Sequence, residues 1–138
     1  MKDPLRDAEL WLSEARTDLA VARRIAEEFP ARACFHAQQG AEKALKAILY
    51  AAGERPVLGH SLAELGPRVT GHSVGYAEIE SEVRKLDRFY IPTLYPNGLP
   101  EGGLPSAAYD AGDAREAIAL AEQAIGHAAT FLEEQGRG

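Results

Sequence analysis

The chain has 138 residues, of which 46% are hydrophobic, 26% charged and 7% aromatic, and its formal net charge is -6. That length suits one domain, and the apolar fraction belongs to a globular rather than a disordered chain. The negative balance excludes an electrostatic grip on nucleic acid by the whole surface, while leaving room for a local basic stripe.

A single cysteine, Cys34, excludes an intramolecular disulfide and a cysteine-based zinc site, and it fits a reducing cytoplasm. The opening Met1-Lys2-Asp3-Pro4 lacks the apolar core of a signal peptide. No apolar run approaches the ~18 residues of a membrane span. The expectation is one cytoplasmic domain over 1–138, with its core over about 7–134.

The first predicted helix runs from about Asp7 to Glu28. Leu12, Ala15, Leu19, Ala22, Ala26 and Phe29 recur at three and four and share one face, and Pro30 ends the run. The second runs from about Ala31 to Ala52, with Ala37, Ala41, Ala44, Leu45 and Ile48 inward and Gly53 as its C-terminal cap. Ser61 opens a short third helix, with Glu64 at capping-box spacing. Gly66-Pro67 predicts that it is short or irregular, and 71–75 is a break. A fourth helix is predicted from about Tyr76 to Tyr90, with Ile79, Val83, Leu86 and Phe89 or Tyr90 inward.

From Ile91 to Tyr109 the composition is that of a loop, with Pro92, Pro96, Pro100 and Pro105. Its apolar and aromatic residues, such as Ile91, Leu94, Tyr95 and Tyr109, predict that it packs down in an ordered way. The last helix begins after Asp110 or Asp113, the latter having N-cap spacing to Glu116. Ala114, Ala117, Ala121, Ala124, Ala128 and Phe131 line its inner face, beside Leu120 and Ile125. The fold class is all-α: an up-and-down antiparallel helical bundle of four long helices plus one short helix, with a long ordered Pro/Gly-rich loop before the last helix.

The chemistry concentrates on the second helix. At ~100° per residue, His36, Gln39, Lys43 and Lys46 fall in one narrow sector away from the apolar face. Two ammonium groups with a directed amide and imidazole suit a phosphate or nucleotide. The plainer alternative is a solvated face on which Glu42 pairs with Lys46 at i,i+4. His60, just before the third helix, can close over the same edge, whereas His72 and His127 read as structural or exposed. No metal is expected, because the chain has neither Glu-x-x-His pairs nor a His-Glu-x-x-His motif. No cofactor is expected either.

Several blocks together resemble the HEPN domain family, over nearly the whole chain from Trp11 to Phe131. They are Leu12 with Asp18-Leu19 and Ala22, Phe35-His36-x-Gln38-Gln39-x-x-Glu42-Lys43-Ala44-Leu45-Lys46-Ala47, His60-Ser61-Leu62-x-x-Leu65, and Tyr90-Ile91-Pro92-Thr93-Leu94-Tyr95-Pro96. The resemblance implies a helical bundle, a homodimer, and partnership with a separate minimal nucleotidyltransferase, often in a toxin–antitoxin module.

A subset of that family are metal-independent RNases using an Arg and a His four to six residues apart. Arg88 stands near the corresponding helix, but Thr93, Leu94 and Tyr95 occupy the places where a His is needed. Arg55 and His60 have the spacing but lie in the loop before the short helix. Leu94 also replaces the Arg that members often carry before Tyr-Pro.

The resulting expectation is a non-catalytic HEPN-domain protein that homodimerises and partners a minimal nucleotidyltransferase. Its nucleotide or phosphate contacts would be His36, Gln39, Glu42, Lys43, Lys46, His60, Tyr90 and Tyr95. A metal-independent RNase built on His60 with Arg88 or Arg55, and a purely structural interaction bundle, stand as the alternatives.

Overall fold

A computed structural model describes residues 3–89 and 108–137. Its α-helices are α1 (Pro4–Ile25), α2 (Pro30–Ala51), α3 (Leu62–His72), the single-turn α4 (Glu80–Val83) and α5 (Ala111–Arg137). Two 3-10 segments, Val74–Glu78 and Arg84–Phe89, flank α4. The described elements are all helical, as the sequence predicts.

Local chemistry sets the helix ends. Asp3 caps α1 by accepting the Arg6 N–H at 3.1 Å, and Pro4 supplies a helix-ready φ in the first turn. At the end of α2, Gly53 adopts φ +94°, which a Cβ would oppose. The Glu54 N–H then reaches the Leu49 carbonyl at 3.0 Å and the Gly53 N–H reaches that of Tyr50 at 2.9 Å. That pair of bonds forms the expected glycine cap. Ser61 caps α3 by accepting the Glu64 N–H at 3.0 Å, also as expected. Asp87 adds a long-range cap, accepting the N–H groups of Leu62 at 2.8 Å and Ala63 at 3.0 Å. Its carboxylate thereby fastens the segment before the undescribed residues to the start of α3.

Two details depart from the sequence reading. Residues 76–89 do not form one helix but a 3-10 segment, one α-turn and a second 3-10 segment. This winding still buries Tyr76, Val83, Leu86 and Phe89. A threefold winding places side chains differently from the 3.6 repeat assumed, and packing onto α2 and α3 selects it. Of the two starts the sequence offers for α5, the structure uses the earlier: Asp110 accepts the Asp113 N–H at 2.9 Å, and Asp113 in turn accepts the Asp110 N–H at 3.0 Å. Finally, Phe29 is exposed rather than in the core, since the chain leaves α1 at Ile25 and turns before it.

Alanine builds the core. Ala8, Ala15 and Ala22 on α1, Ala33, Ala37, Ala41 and Ala44 on α2, and Ala114, Ala117, Ala121, Ala124 and Ala128 on α5 are all fully enclosed. Small side chains let helix axes approach closely. A close crossing lies at Gly40, where a Cβ would lie 3.1 Å from the Ala15 carbonyl oxygen, 3.5 Å from Asp18 Cβ and 3.6 Å from Ile125 Cδ1. α2 is therefore the central helix, with α1 antiparallel on one side and α5 on another. The α3–α4 layer is tied to α5 by Ser73 Oγ, 2.7 Å from His127 Nε2.

The α2–α3 loop is held by an ionic latch. Glu54 receives Arg68 at 2.7 Å and His72 at 2.7 Å, and Arg68 also donates to the Leu58 carbonyl at 2.7 Å. Burial pushes the Glu54 carboxyl up, but the hydrogen bonds and charges of Arg68 and His72 outweigh it and hold Glu54 below the usual value of 4.5. A depressed carboxylate stabilises the fold above its unfolded value. The latch is expected to contribute fully above about pH 4.5 and to fade as the pH falls through the folded value. Comparing urea unfolding of the wild type and Glu54→Gln between pH 7 and pH 3 checks this. The gap between them should close with acid, and a gap that widened would contradict the latch.

Candidate functional site

The polar stripe predicted on α2 lies along the α1–α2 seam, and a residue of α1 organises it. Asp18 is buried, and its carboxylate bridges His36 Nδ1 at 2.9 Å and Lys43 Nζ at 2.7 Å. These partners sit two turns apart on α2, so one carboxylate spans the centre of the edge. The approach is short because Gly40, between them, has no side chain.

Toward the C-terminal half of α2 a second acid takes over. Glu42 is 4% exposed and Lys46 8% exposed. Their charged atoms are 3.6 Å apart, and His60 Nδ1 stands 3.5 Å from the same carboxylate oxygen. Gln39 links the cluster, donating to Gln38 Oε1 at 2.8 Å and to Glu42 Oε2 at 3.2 Å. Burial pushes the Glu42 carboxyl up from its usual value, and Lys46 and His60 offset part of that rise. Gln38 Nε2 and Glu42 Oε1 are buried without a hydrogen-bond partner among the described residues.

The seam continues as stacked rings and charges. Lys46 Nζ lies 5.5 Å from the centre of the Trp11 ring, which stacks on Tyr50 at 5.6 Å and 19°. Arg55 covers Tyr50 at 5.3 Å and pairs with Asp7 at the start of α1. From Asp7 to Asp18, α1 thus offers carboxylates to cations standing on or just beyond α2.

Of the eight residues predicted for the site, the structure places His36, Gln39, Glu42, Lys43 and Lys46 on one edge, with His60 at its rim, its side chain 83% exposed. Tyr90 and Tyr95 lie outside the described residues, as does most of the 91–109 loop that was expected to pack down in an ordered way. The Glu42–Lys46 ion pair of the plainer alternative is present, but both residues are buried rather than on a solvated face. Lys43 is paired too, with Asp18.

Sequence reasoning gave Asp18, Trp11 and Gln38 no role at the site. Asp18 carried a usable signal: it interrupts the apolar repeat between Ala15 and Ala22, and a carboxylate on a core-facing stripe requires a buried cation or donor. Nothing comparable marks Trp11, whose partners come from a different helix.

The side chains considered for RNA cleavage make contacts with acids of this chain. Arg88 pairs with Glu116 at 2.9 Å and covers Phe89 at 4.5 Å. Arg55 pairs with Asp7, while His60 stands 3.5 Å from Glu42. Cys34 is buried, and desolvation pushes its thiol up to about 12, so it is no nucleophile at neutral pH. Among the described residues, no helix is long and apolar enough to cross a membrane.

The family model of the HEPN domain matches residues 8–130. The fold is similar to the crystal structure of TT1696 from Thermus thermophilus, with a TM-score of 0.79 and 34% identity over 93% of this chain and 97% of that one. It is also similar to ST0689, described as an archaeal HEPN homologue, with a TM-score of 0.74 and 32% identity over 96% of this chain and 99% of the other. No curated protein matches the sequence.

Proposed function

Because the chain belongs to the HEPN domain family, we propose that it works as a non-catalytic binding module that homodimerises and partners a minimal nucleotidyltransferase, in the manner of a toxin–antitoxin pair. The observation that carries this reading is the Asp18 bridge to His36 and Lys43. The two lysines that would grip a phosphate each face a carboxylate of this chain, Asp18 for Lys43 and Glu42 for Lys46. A bound nucleotide must compete with both. Protein contact asks for no such exchange, and the exposed flank of the same seam offers apolar area for it.

His36, Gln39, Glu42, Lys43, Lys46 and His60 then form the subsidiary nucleotide or phosphate contact, Lys43 and Lys46 supplying charge and Gln39 a directed amide. The commitment of Arg88 and Arg55 to Glu116 and Asp7 supports the non-catalytic reading over RNA cleavage.

The test is co-expression with the nucleotidyltransferase encoded beside it, followed by gel filtration with light scattering. A complex of fixed stoichiometry containing two copies of this chain is expected. Two clean, separate peaks at micromolar concentration would remove the partnership. RNA incubated with the pure protein without added metal should stay intact, and cleavage lost in His60→Ala would put the RNase reading in its place.

A further inference from the structure

The outer flank of the α1–α2 seam carries a feature the polar edge does not use. Leu10 is 59% exposed in the second turn of α1. With Trp11, Glu14 and Lys43 it lines a shallow apolar depression of about 330 Å3. Leu10, Trp11 and Glu14 share one face of α1 by their spacing, and Lys43 stands opposite on α2. An exposed leucine alone is ordinary, but one set beside a half-buried tryptophan in a concave surface is a contact site in form.

The charges around it indicate the occupant. The α1 side of the depression is acidic, with Glu14, and the α2 side is basic, with Lys43. A two-fold axis running along the seam, parallel to the two helices, lays α1 of one copy over α2 of the other at the same height. Glu14 then meets the second copy's lysine and Lys43 its glutamate, while the two apolar centres close on each other. A surface with acid and base on opposite sides of an apolar centre is complementary to itself under that rotation, as an isologous interface requires. Lys43 is already steered: Asp18 takes one of its three N–H donors at 2.7 Å and holds the ammonium at the rim.

We propose that this α1–α2 flank, centred on Leu10 and Trp11 and edged by Glu14 and Lys43, is the seam against a second copy of this chain. The inference rests on the homodimeric reading above and assigns it a surface. It also gives the Asp18–Lys43 pair a second task, setting the position of an interfacial cation.

The test is the dimer dissociation constant of the full chain by sedimentation equilibrium, for wild type, Leu10→Arg, Glu14→Arg and the remote control Val74→Arg, whose site is also exposed. Circular dichroism keeps folding under watch. Leu10→Arg buries a charge at the centre of the seam and should weaken the dimer roughly thirtyfold or more. Glu14→Arg sets like charge against the second copy's lysine and should weaken it about tenfold, more so at low salt. Val74→Arg should leave it unchanged.

If the wild type dimerises and Leu10→Arg and Glu14→Arg dimerise equally well with native spectra, this seam is overturned and the homodimeric reading survives. A wild type that stays monomeric removes that reading and the seam with it. Should Leu10→Arg keep the dimer but lose the co-expressed nucleotidyltransferase, the flank belongs to that partner and the present assignment fails.

Discussion

Gly40→Leu is expected to destabilise the protein by roughly 3 kcal/mol, the upper range for overpacking a closed core. Even the Cβ would sit 3.1 Å from the Ala15 carbonyl oxygen, and the added atoms would run into Asp18 and Ile125. The obstacle is backbone, so no side-chain rotation relieves it, and α1 must move off α2. At this chain length that corresponds to a fall in Tm of about 10 °C. Thermal unfolding followed by circular dichroism checks it. The same displacement pulls Asp18 away from His36 and Lys43, so the site should loosen with the fold. Gly40→Ala is the informative control. Its single methyl meets the same oxygen, but alanine gains about 1 kcal/mol of helix propensity over glycine. Its net effect should lie near zero, and an equally severe loss there would mean that the crossing tolerates no movement at all.

Removing the bridging carboxylate should have the next largest effect. Asp18→Ala leaves the Lys43 ammonium and the His36 ring facing the emptied centre of the seam. Breaking a buried pair from one side costs about 3–5 kcal/mol. Lys43 and His36 are each about a third exposed, with side chains 27% and 32% accessible, so both can turn toward water. We therefore expect a smaller loss, about 2 kcal/mol, measured by urea unfolding. Lys43→Met in the Asp18→Ala background should cost much less than in the wild type, because the pair is then already broken. Strictly additive losses would show that Asp18 and Lys43 do not act together. A second readout addresses function directly. Freed of its carboxylate, Lys43 should respond to added inorganic phosphate more strongly in Asp18→Ala than in the wild type when followed by NMR. Equal, flat titrations in both would remove the phosphate contact from this edge.

How far the sequence went can be read from individual residues. The helices α1, α2 and α5 were legible because their apolar positions recur at three and four over twenty or more residues, a pattern that local geometry alone decodes. Gly53 and Ser61 were legible as a helix end and a helix start because the groups they satisfy lie within four residues of them. Residues 76–89 were not, because so short a run can wind as α or as 3-10 at little cost, and neighbouring elements choose between the two. The alignment of His36, Gln39, Lys43 and Lys46 also followed from spacing. So did the Glu42 partner of Lys46, at i,i+4, whereas the Asp18 partner of His36 and Lys43 did not.

The sequence by itself determined that this chain is all-helical, with an alanine-lined core and one polar edge on its second helix, since each of those properties is set by intervals of a few residues. Only the tertiary structure decided that Asp18, an acid from another helix, closes the centre of that edge. Asp18 lies 25 residues from Lys43 along the chain, and what brings them together is the close crossing that Gly40 permits. A charge on a helix wheel shows the direction a side chain takes. What it meets there depends on which helix packs alongside and how near, and that is fixed by the burial of many residues at once rather than by any motif.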